Sequence, residues 1–539
     1  MTYLPLALSP RYIVFTLSLL GIVVFAILTW LAPSDGVIAL LVLCIALAAL
    51  GVRDVLQTKH SILRNYPIVA HLRFLMEEIR PEFRQYFFEG EKDGAPFSRD
   101  KRSIVYQRAK LALDKRPFGT QYDVYSEGYE WMRHSMAPRP VSRKLFRVKI
   151  GGPDCKQPYA ASVYNISAMS FGALSANAIR ALNKGAAAGG FAHDTGEGGV
   201  SRYHREFNGD LIWEIGSGYF GCRDGAGAFS AERFAVTSKL DQVKMIEIKL
   251  SQGAKPGHGG VLPGAKVSAE IAEARGITEG VDCISPSTHS AFSTPRELID
   301  FVAKLRELSG GKPIGFKLCV GHPWEFLGIV KAMIDTNVTP DFIVVDGKEG
   351  GTGAAPLEFA DHMGMPLREG LNFVHNALLG AGLRDRISIG ASAQIVTAFD
   401  MARVIALGAD WCNSARAFMF AVGCIQSQSC HTDRCPTGVA TQDAMRQRAI
   451  VVPDKADRVR NFHRATLMSL AELVAAAGLE HPLQFKLEHF SRRISAREVV
   501  SFAELYPPLE EGVLLTGTAD PRFRDAWARA QAHSFAPAA

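Results

Sequence analysis

Short apolar runs alternate with helical stretches through the middle of this chain of 539 residues. The runs are ISAMSFGAL from residue 166, FAHDTGE from 191, MIEIKLS from 245, DCISPS from 282, PIGFKLC from 313, FIVVDG from 342, ISIGAS from 387 and WCNSAR from 411. One helical segment between them, TPRELIDFVAKLREL, begins with the N-cap residue Thr294 followed by Pro295. The pattern favours an α/β (β/α)8 TIM barrel. A doubly wound sheet is the alternative, but no strand–GxGxxG–helix unit appears.

Composition divides the chain into four segments. We interpret residues 1–55 as a transmembrane hairpin, 56–150 as a mostly helical N-terminal cap, 151–450 as the barrel, and 451–539 as a C-terminal helical extension. The net charge of +6 is modest for this length, and the basic residues are scattered along the chain. Nucleic acid is therefore not an expected partner.

Two apolar stretches near the N-terminus predict membrane insertion. Residues 12–32 carry no charge and are long enough for a hydrocarbon core of about 30 Å, and a slightly shorter span follows at 37–52. An uncleaved signal peptide is the alternative for the first span, but a second span directly after a turn argues against it. Arg11 precedes the hairpin, and Arg53, Lys59 and Arg64 follow it. The positive-inside rule then predicts a multi-pass cell-membrane protein with a cytoplasmic catalytic domain.

Three of the nine cysteines are crowded into CIQSQSCHTDRCPTGVATQD, as Cys424, Cys430 and Cys435. The other six lie singly, as is typical of buried, reduced thiols in a cytosolic protein. Zinc sites usually show CxxC pairs, and no second pair lies nearby. Thiolates hold iron–sulfur clusters, and a three-iron cluster needs only three of them. A cluster is therefore favoured, with packed structural thiols as the alternative.

Polar residues at predicted strand ends mark a candidate active site, because barrel chemistry gathers at the C-terminal ends of the strands. The run at 245 ends in KLSQGAKPGHGG, which places Lys249, Gln252 and Lys255 where they can face one pocket. The alternative is that Lys249 and Lys255 are ordinary surface residues. Glu197 follows the run at 191 between glycines that let a ligand approach the backbone, although a lone loop glutamate is usually solvated.

Other strand ends favour an anionic cofactor. DGKEGGTG, residues 346–353, offers free backbone N–H groups typical of an anion cradle, and the last two strand ends lie where barrels often bind a cofactor phosphate. Lys317 lies inside an apolar strand, where a lysine is costly unless it faces a charge, so a cofactor contact is favoured there. The predicted cofactor-binding residues of these loops are Gly350, Gly351, Thr352, Gly353, Ser392, Ala393, Ser414 and Arg416.

Six motifs resemble the FMN-binding synthase domain of glutamate synthase. They are MSFGALS (169–175), TGEGG (195–199), IKLSQGAKPGHGGVLPG (248–264), GGTGA (350–354), LRDRISI (383–389) and CHTDRCPTGVATQD (430–443), in consistent order across residues 150–450. More closely, the chain resembles the short, membrane-anchored glutamate-synthase-like proteins. The resemblance implies an oxidoreductase of CH–NH2 donors in which 2-oxoglutarate and ammonia give 2-iminoglutarate, and reduced FMN transfers a hydride to it. It also implies that Cys424, Cys430 and Cys435 hold a [3Fe-4S] cluster.

The resemblance assigns further roles residue by residue. Gln252, Lys255 and Arg275 would hold the substrate dicarboxylate, which needs cationic partners. Glu197 would face the reacting centre, so Glu197 and Lys255 are the predicted catalytic residues. Lys317 resembles the lysine that many FMN barrels place beside flavin N1 and the C2 carbonyl. The remaining predicted FMN contacts are Met169, Ser170, Lys249 and Gln252.

Three departures from the family pattern bear on the reaction. The chain begins Met1-Thr2 rather than with the nucleophilic cysteine of a glutaminase domain, His258 and Val261 stand in GHGGVLPG where the family has GEGGQLPG, and ASAQ replaces a double glycine. We expect ammonia, an amine or a separate amidotransferase as nitrogen source. An external carrier such as ferredoxin is the expected electron donor, since no NAD(P)H fingerprint appears.

Three other functions remain open. They are an amine-using enzyme of the N-methylglutamate synthase type, a non-catalytic membrane-anchored flavin and iron–sulfur redox sensor, and an isomerase that uses FMN without net redox chemistry. An isomerase has no need of the cluster.

Overall fold

A computed structural model describes residues 9–142, 146–518 and 520–538, which belong to two units, residues 1–95 and 96–539. The first unit is helical. It contains α1 (Ile13–Leu31), α2 (Asp35–Leu56), α3 (Ser61–Asn65), α4 (Ala70–Phe83) and a π-helical turn, Arg84–Phe88. The first two helices pack against each other, and each is long and apolar enough to cross a membrane, with mean hydropathies of 2.5 and 2.6. Length and composition alone are weak evidence for a membrane anchor, and its orientation stays a prediction.

The second unit holds all the remaining elements of the described chain. Its helices are α5 (Arg99–Ala109), α6 (Ala176–Gly189), α7 (Arg202–Arg205), α8 (Ala231–Ser238), α9 (Ala269–Arg275), α10 (Pro295–Leu308), α11 (Pro323–Thr336), α12 (Leu357–His362), α13 (Leu367–Gly380), α14 (Ala398–Ala406), α15 (Arg416–Val422), α16 (Ala444–Gln447), α17 (Val452–Ala476), α18 (Phe502–Leu505), α19 (Val513–Thr516) and α20 (Arg524–Arg529). Its strands are β1 (Glu130–Met132), β2 (Arg147–Ile150), β3 (Tyr159–Ser162), β4 (Tyr164–Ile166), β5 (His193–Asp194), β6 (Leu211–Ile215), β7 (Val243–Lys249), β8 (Val261–Leu262), β9 (Cys283–Ile284), β10 (Ile314–Leu318), β11 (Phe342–Asp346), β12 (Ser388–Ser392), β13 (Trp411–Ser414), β14 (Phe490–Arg493) and β15 (Val499–Ser501).

Eight parallel strands close into a barrel, which confirms the predicted fold. Their order around the barrel is β4, β5, β6, β7, β10, β11, β12 and β13, and β13 pairs with β4 to complete the ring. All five residues of β6, β10 and β11 are buried, as expected where helices cover the outside of a parallel barrel. Every loop that follows one of these strands emerges at the same end, so distant stretches of sequence meet there.

One predicted barrel strand is wrong and one was missed. DCISPS does not enter the barrel, because β9 pairs antiparallel with β8 in a two-stranded sheet. The missing strand is β6, LIWEI, whose Glu214 interrupts its apolar pattern. That carboxylate is buried inside the barrel beside Lys317, a partner that local sequence does not reveal. The run ISAMSFGAL reaches β4 only at Ile166, and the rest of it forms the loop that follows.

Helices pack around the outside of the ring. Helix α10 begins with the predicted N-cap residue Thr294 followed by Pro295, and Glu297 completes a capping box. The long helix α17 packs against α5, α6, α14 and α15, and α15 leads directly into the cysteine segment. Strands β1, β14 and β15 form a separate antiparallel sheet.

Candidate active site

Glu197 and Lys249 form an ion pair at the C-terminal end of the barrel. Lys249 is the last residue of β7, Glu197 lies in the loop after β5, and Lys249 Nζ is 3.1 Å from Glu197 Oε1. Glycines make room for the carboxylate: a Cβ on Gly216 would lie 2.8 Å from Glu197 Oε2, and one on Gly260 would collide with Oε1. The last glycine of GHGG, Gly260, is therefore needed to pack the chain against Glu197.

Lys255 and Arg275 act on the same carboxylate. Burial raises the pKa of Glu197, but Lys249, Arg275 and Lys255 together hold it below its ordinary value. Lys255 is 2% exposed and donates to the Ala354 carbonyl over 2.9 Å. Burial and, less strongly, nearby Lys249 lower the pKa of Lys255 to about 8, and Glu197 opposes both effects. Three cations thus surround one carboxylate.

Arg275, the last residue of α9, is 6% exposed. Its guanidinium donates to the Phe171 carbonyl over 3.2 Å and lies 4.9 Å from the centre of the Phe220 ring. In the described chain no carboxylate lies within 4.0 Å of it. The carbonyl and the ring fix the orientation of this guanidinium without neutralising it.

The turn after β7 packs onto the glycine-rich loop after β11. Gln252 donates its side-chain amide to the Gly351 carbonyl over 2.7 Å, and Gly253 N–H donates to Asp346 Oδ2 over 2.7 Å. A Cβ at Gly253 would collide with the Gly347 carbonyl, so only glycine allows this approach. The structure therefore brings Gln252 and Lys255, which the sequence predicts to bind substrate, against the loop predicted to bind the cofactor.

Arg416 fits a role in holding a phosphate. It opens α15, donates to the Glu349 carbonyl over 2.5 Å and lies 4.6 Å from the centre of the Phe97 ring. Burial lowers its pKa to about 10, opposed by Asp346 and Glu349. No carboxylate in the described ranges forms an ion pair with it, which leaves this largely buried guanidinium able to bind an anion.

The other predicted cofactor residues come together at the same end of the barrel. Ser167, in the loop after β4, links two of them: its Oγ is 3.1 Å from Ser392 Oγ, and its N–H donates to the Ser414 carbonyl over 3.0 Å. Met169 N–H donates to the Asp194 carbonyl, the Ser170 carbonyl accepts from Leu174, and Ala393 is buried next to Ser392. In the loop after β11, the Gly350 N–H donates to the Gly347 carbonyl, Thr352 Oγ1 donates to the Ala354 carbonyl, and a Cβ on Gly353 would meet open space.

Lys317 lies inside the barrel within a group of acids. Its ammonium forms ion pairs with Glu214 and, over 3.2 Å, with Glu247 Oε1. Oxygen atoms of Asp194, Glu214 and Glu247 lie within 4.8 Å of one another. Burial raises the Asp194 pKa to about 7, with Glu214 adding to the shift, and burial raises the Glu247 pKa well above its ordinary value. The sequence analysis missed these acids, whose only local signal is a charged residue in an apolar run. A flavin contact for Lys317 stays a prediction.

The three clustered cysteines influence one another electrostatically. Burial raises the pKa of Cys424 to about 12, and the Cys430 and Cys435 thiols add to the shift. Burial also acts to raise the pKa of Cys435, but hydrogen bonds from the backbone of Ala440 and from Thr437 outweigh it and lower that pKa. Cys435 is thus the thiol best prepared to act as a thiolate ligand.

The spacing of these sulfurs bears on what they can hold. Within the described ranges, the three Sγ atoms do not all lie within 4.8 Å of one another. Zinc–sulfur bonds of about 2.3 Å would bring thiolates to within roughly 4 Å of each other. A [3Fe-4S] cluster at these three cysteines stays a prediction.

Lys266 is a further buried cation that the sequence analysis missed. It is 2% exposed and lies two residues beyond the last glycine of the motif GHGGVLPG. Its ammonium donates to the Ala173 carbonyl over 2.5 Å and to the Cys430 carbonyl over 3.4 Å. A lysine in the apolar sequence LPGAKVS is the only local signal of this position.

The same region of the chain, residues 152–480, matches the family described as the conserved region in glutamate synthase. The chain belongs to the glutamate synthase family. This membership confirms the resemblance and makes the barrel a glutamate synthase-like, FMN-type domain.

Among the relatives, the glutamate synthase large subunit-like protein YerD of Bacillus subtilis (strain 168) is 38% identical over 520 residues, which cover 89% of this chain and 98% of YerD. The archaeal glutamate synthase (NADPH) of Methanocaldococcus jannaschii is 37% identical over 352 residues, or 65% of each chain. A flavocytochrome b2 structure with pyruvate bound is 11% identical, with a TM-score of 0.40 over 82% of this chain and 92% of that one. A score this low adds nothing to the barrel seen directly.

Proposed function

We propose that this barrel is an FMN-dependent oxidoreductase that reduces 2-iminoglutarate, or the imine of a closely related 2-oxo dicarboxylic acid, to the amino acid. One observation carries the proposal: Lys249, Lys255 and Arg275 surround the single carboxylate of Glu197. Their formal surplus is two positive charges, which a dicarboxylate neutralises. Buried cations bind carboxylates strongly when little water competes, so this end of the barrel favours such a substrate.

The residues of the site divide the work. Arg275, held by Phe171 and Phe220, and Lys255, held by Ala354, bind the two substrate carboxylates, and the Gln252 amide orients the substrate beside them. Glu197, kept ionised by its cations, accepts a proton from the nitrogen that attacks the oxo carbon, and returns it to the oxygen that leaves as water. Lys249 fixes the position of this carboxylate.

FMN, when bound, supplies the hydride that reduces the imine carbon. The Arg416 guanidinium and the loop after β11 would hold its phosphate. The residues proposed to contact it are Met169, Ser170, Lys249, Gln252, Lys317, Gly350, Gly351, Thr352, Gly353, Ser392, Ala393, Ser414 and Arg416. A flavin spectrum of the purified chain, lost in Arg416→Ala but kept in Arg434→Ala on the exposed part of the cysteine segment, would support this assignment.

We further propose that Cys424, Cys430 and Cys435 hold a [3Fe-4S] cluster, which supplies one-electron transfer from an external carrier such as ferredoxin. Cys430→Ser should remove the cluster's visible absorption and slow reduction by that carrier, while direct photoreduction of the flavin is largely spared. Equal loss of both reductions would mean that the cysteines are structural.

The N-terminal hairpin of α1 and α2 is proposed to anchor the enzyme to the cell membrane with the barrel in the cytoplasm. Carbonate washing of membranes should leave the chain in the membrane pellet. Its release into the supernatant would remove the anchor from the proposal.

The reaction itself can be tested with detergent-purified full-length protein. The flavin is reduced anaerobically, and its reoxidation is followed with 2-oxoglutarate plus ammonium. Rapid reoxidation with formation of glutamate is expected, and pyruvate, which has one carboxylate, should react far more slowly. Methylammonium in place of ammonium identifies an amine-using enzyme. Failure of every oxo acid and amine to reoxidise the flavin would contradict the proposal and favour a redox sensor.

A further inference from the structure

Lys266 is a buried cation with an unusual set of partners. Both of its hydrogen bonds go to backbone carbonyls, at Ala173 and Cys430, and no carboxylate of the described residues lies within 4.0 Å of its ammonium. The charged groups that act on it from further away are Asp433, which favours the ammonium form, and Arg275, which opposes it. A buried charge is costly unless an opposite charge compensates it.

Cys430 and Cys435 would supply negative charge beside Lys266 when they are bound to a cluster as thiolates. Cys430 has the strongest electrostatic effect on Lys266 after burial itself, and Cys435 acts on it as well. A cluster bound by three thiolates is an anion, and it gains one more negative charge when it is reduced. Lys266 is therefore placed to stabilise the reduced form more than the oxidised form.

Lys266 also lies at the contact between two loops. Ala173 belongs to the loop after β4, which contains the predicted FMN residues Met169 and Ser170, and Cys430 belongs to the cysteine segment. Gln442 joins the same two segments, since its side-chain amide donates to the Gly172 and Leu174 carbonyls, each over 3.0 Å. The ammonium is thus fixed between the two segments by a packed, hydrogen-bonded contact.

We propose that Lys266 sets the reduction potential of the iron–sulfur cluster by holding a positive charge beside Cys430. The inference rests on the cluster assigned under the proposed function. Lys266 would be a positioning residue for charge, because it touches the backbone of a ligand residue and not the substrate. Its effect is electrostatic, so it depends on the charge of the side chain and not on its shape.

The chain offers a matched control for this charge. Lys312 is also buried, at 8% exposed, and its ammonium donates to two backbone carbonyls, those of Ser238 and Leu240. The groups that shift its pKa are Lys244 and Asp241, and no cysteine is among them. Replacing Lys312 therefore removes a similar buried ammonium away from the cluster.

The test is an anaerobic redox titration of full-length protein in detergent, with the cluster followed by its electron paramagnetic resonance signal. Lys266→Met should lower the equilibrium constant for cluster reduction at least tenfold, which is about 59 mV for a one-electron couple. Lys266→Arg and Lys312→Met should both keep the wild-type potential. Lys266→Gln, which keeps hydrogen-bond donors without charge, replaces Lys266→Met if that variant does not fold.

Each outcome is decisive. An unchanged potential in the neutral variants, or an equal shift in Lys312→Met, would overturn the inference. Loss of the cluster in both neutral variants, with retention in Lys266→Arg, would also overturn it and make Lys266 an assembly residue. Absence of the cluster from the wild-type protein would instead contradict the proposed function.

Discussion

At the C-terminal end of the barrel three cations surround one carboxylate, whereas inside the barrel four carboxylates surround one lysine. The first group is Glu197 with Lys249, Lys255 and Arg275. The second is Lys317, whose pKa burial would lower but which Glu214, Glu247, Asp194 and Asp346 raise well above its ordinary value. The two groups therefore carry charge surpluses of opposite sign a short distance apart along the same strands.

The two charge surpluses are compensated in different ways. Inside the barrel, burial raises the pKa values of Asp194 and Glu247, which favours their neutral forms and so reduces the excess negative charge. At the barrel end, Glu197 has a lowered pKa and Lys255, whose pKa is about 8, is cationic at neutral pH. Excess positive charge there favours binding of an anion from outside. We infer that the end group binds the substrate and that the acids around Lys317 are compensated within the fold, with Lys317 itself still a proposed flavin contact.

The largest expected effect of this difference is on stability. Lys317→Met removes the only cation bonded to the buried carboxylates of Glu214 and Glu247 in the described interior. Breaking a buried ion pair from one side costs about 3–5 kcal/mol. The free energy of unfolding, measured by urea titration of the detergent-solubilised chain, should fall by that amount.

A double variant provides the control for this prediction. Glu247→Gln combined with Lys317→Met removes one of the stranded carboxylates, so it should cost less than Lys317→Met alone. If the cost of the double variant equals the sum of the two single costs, the interior acids are not coupled through Lys317.

The next effect is on activity and belongs to the barrel end. Lys255→Met should lower kcat/KM for the oxo acid by about 100-fold, because one charge-assisted contact to a carboxylate is lost, worth about 3 kcal/mol. Stability should hardly change, since burial of this ammonium is itself unfavourable. Lys255→Arg should recover part of the activity. Equal kcat/KM in Lys255→Met and wild type would mean that the substrate binds elsewhere.

The sequence predicted the barrel because apolar strands alternate with amphipathic helices, and this pattern reflects burial on both faces of each strand. The pattern failed to predict a strand where a charged residue is buried within it. Strand β6 carries Glu214, whose partner Lys317 lies 103 residues further along the chain. The two-residue strand β9 is apolar, as a barrel strand is, but it pairs with β8 instead. A run this short does not indicate which strand it will pair with.

The candidate site was predictable for the same local reason. Lys249 ends strand β7, and Glu197, Gln252 and Lys255 lie in glycine-rich turns after strands, where glycine permits close packing against side chains and backbone. Lys266 and the interior acids could not be predicted in this way. The roles of these residues depend on contacts between segments far apart in sequence, such as the hydrogen bond from Lys266 to the Cys430 carbonyl.

The same substitution in both groups gives a sharper comparison. Glu247→Gln should lower the free energy of unfolding by less than Lys317→Met does, because burial already disfavours the charged form of this carboxyl and Glu214 remains to pair with Lys317. Glu197→Gln should abolish most of the turnover while the affinity for the oxo acid is retained or increased, since the cations lose the carboxylate that is paired with Lys249. Isothermal titration and reoxidation assays separate the two effects. Weaker oxo-acid binding in Glu197→Gln would contradict the assignment of the barrel end.

The smallest effect is the pH dependence of substrate capture. Lys255 has a pKa of about 8 because burial disfavours its charged form, with Lys249 adding to the shift. The ammonium is present below that pH and is lost above it, so kcat/KM for the oxo acid should be constant from pH 6 to about 7.5. It should then fall, approaching about tenfold per pH unit well above 8.

The assay varies the oxo acid at saturating ammonia, because the fraction of free ammonia rises over the same range. In Lys255→Arg, whose guanidinium stays charged, the fall should disappear below pH 10. A decline shared by both proteins would place the titrating group on another residue, while a flat profile in the wild type would mean that the positive surplus at the barrel end does not depend on Lys255.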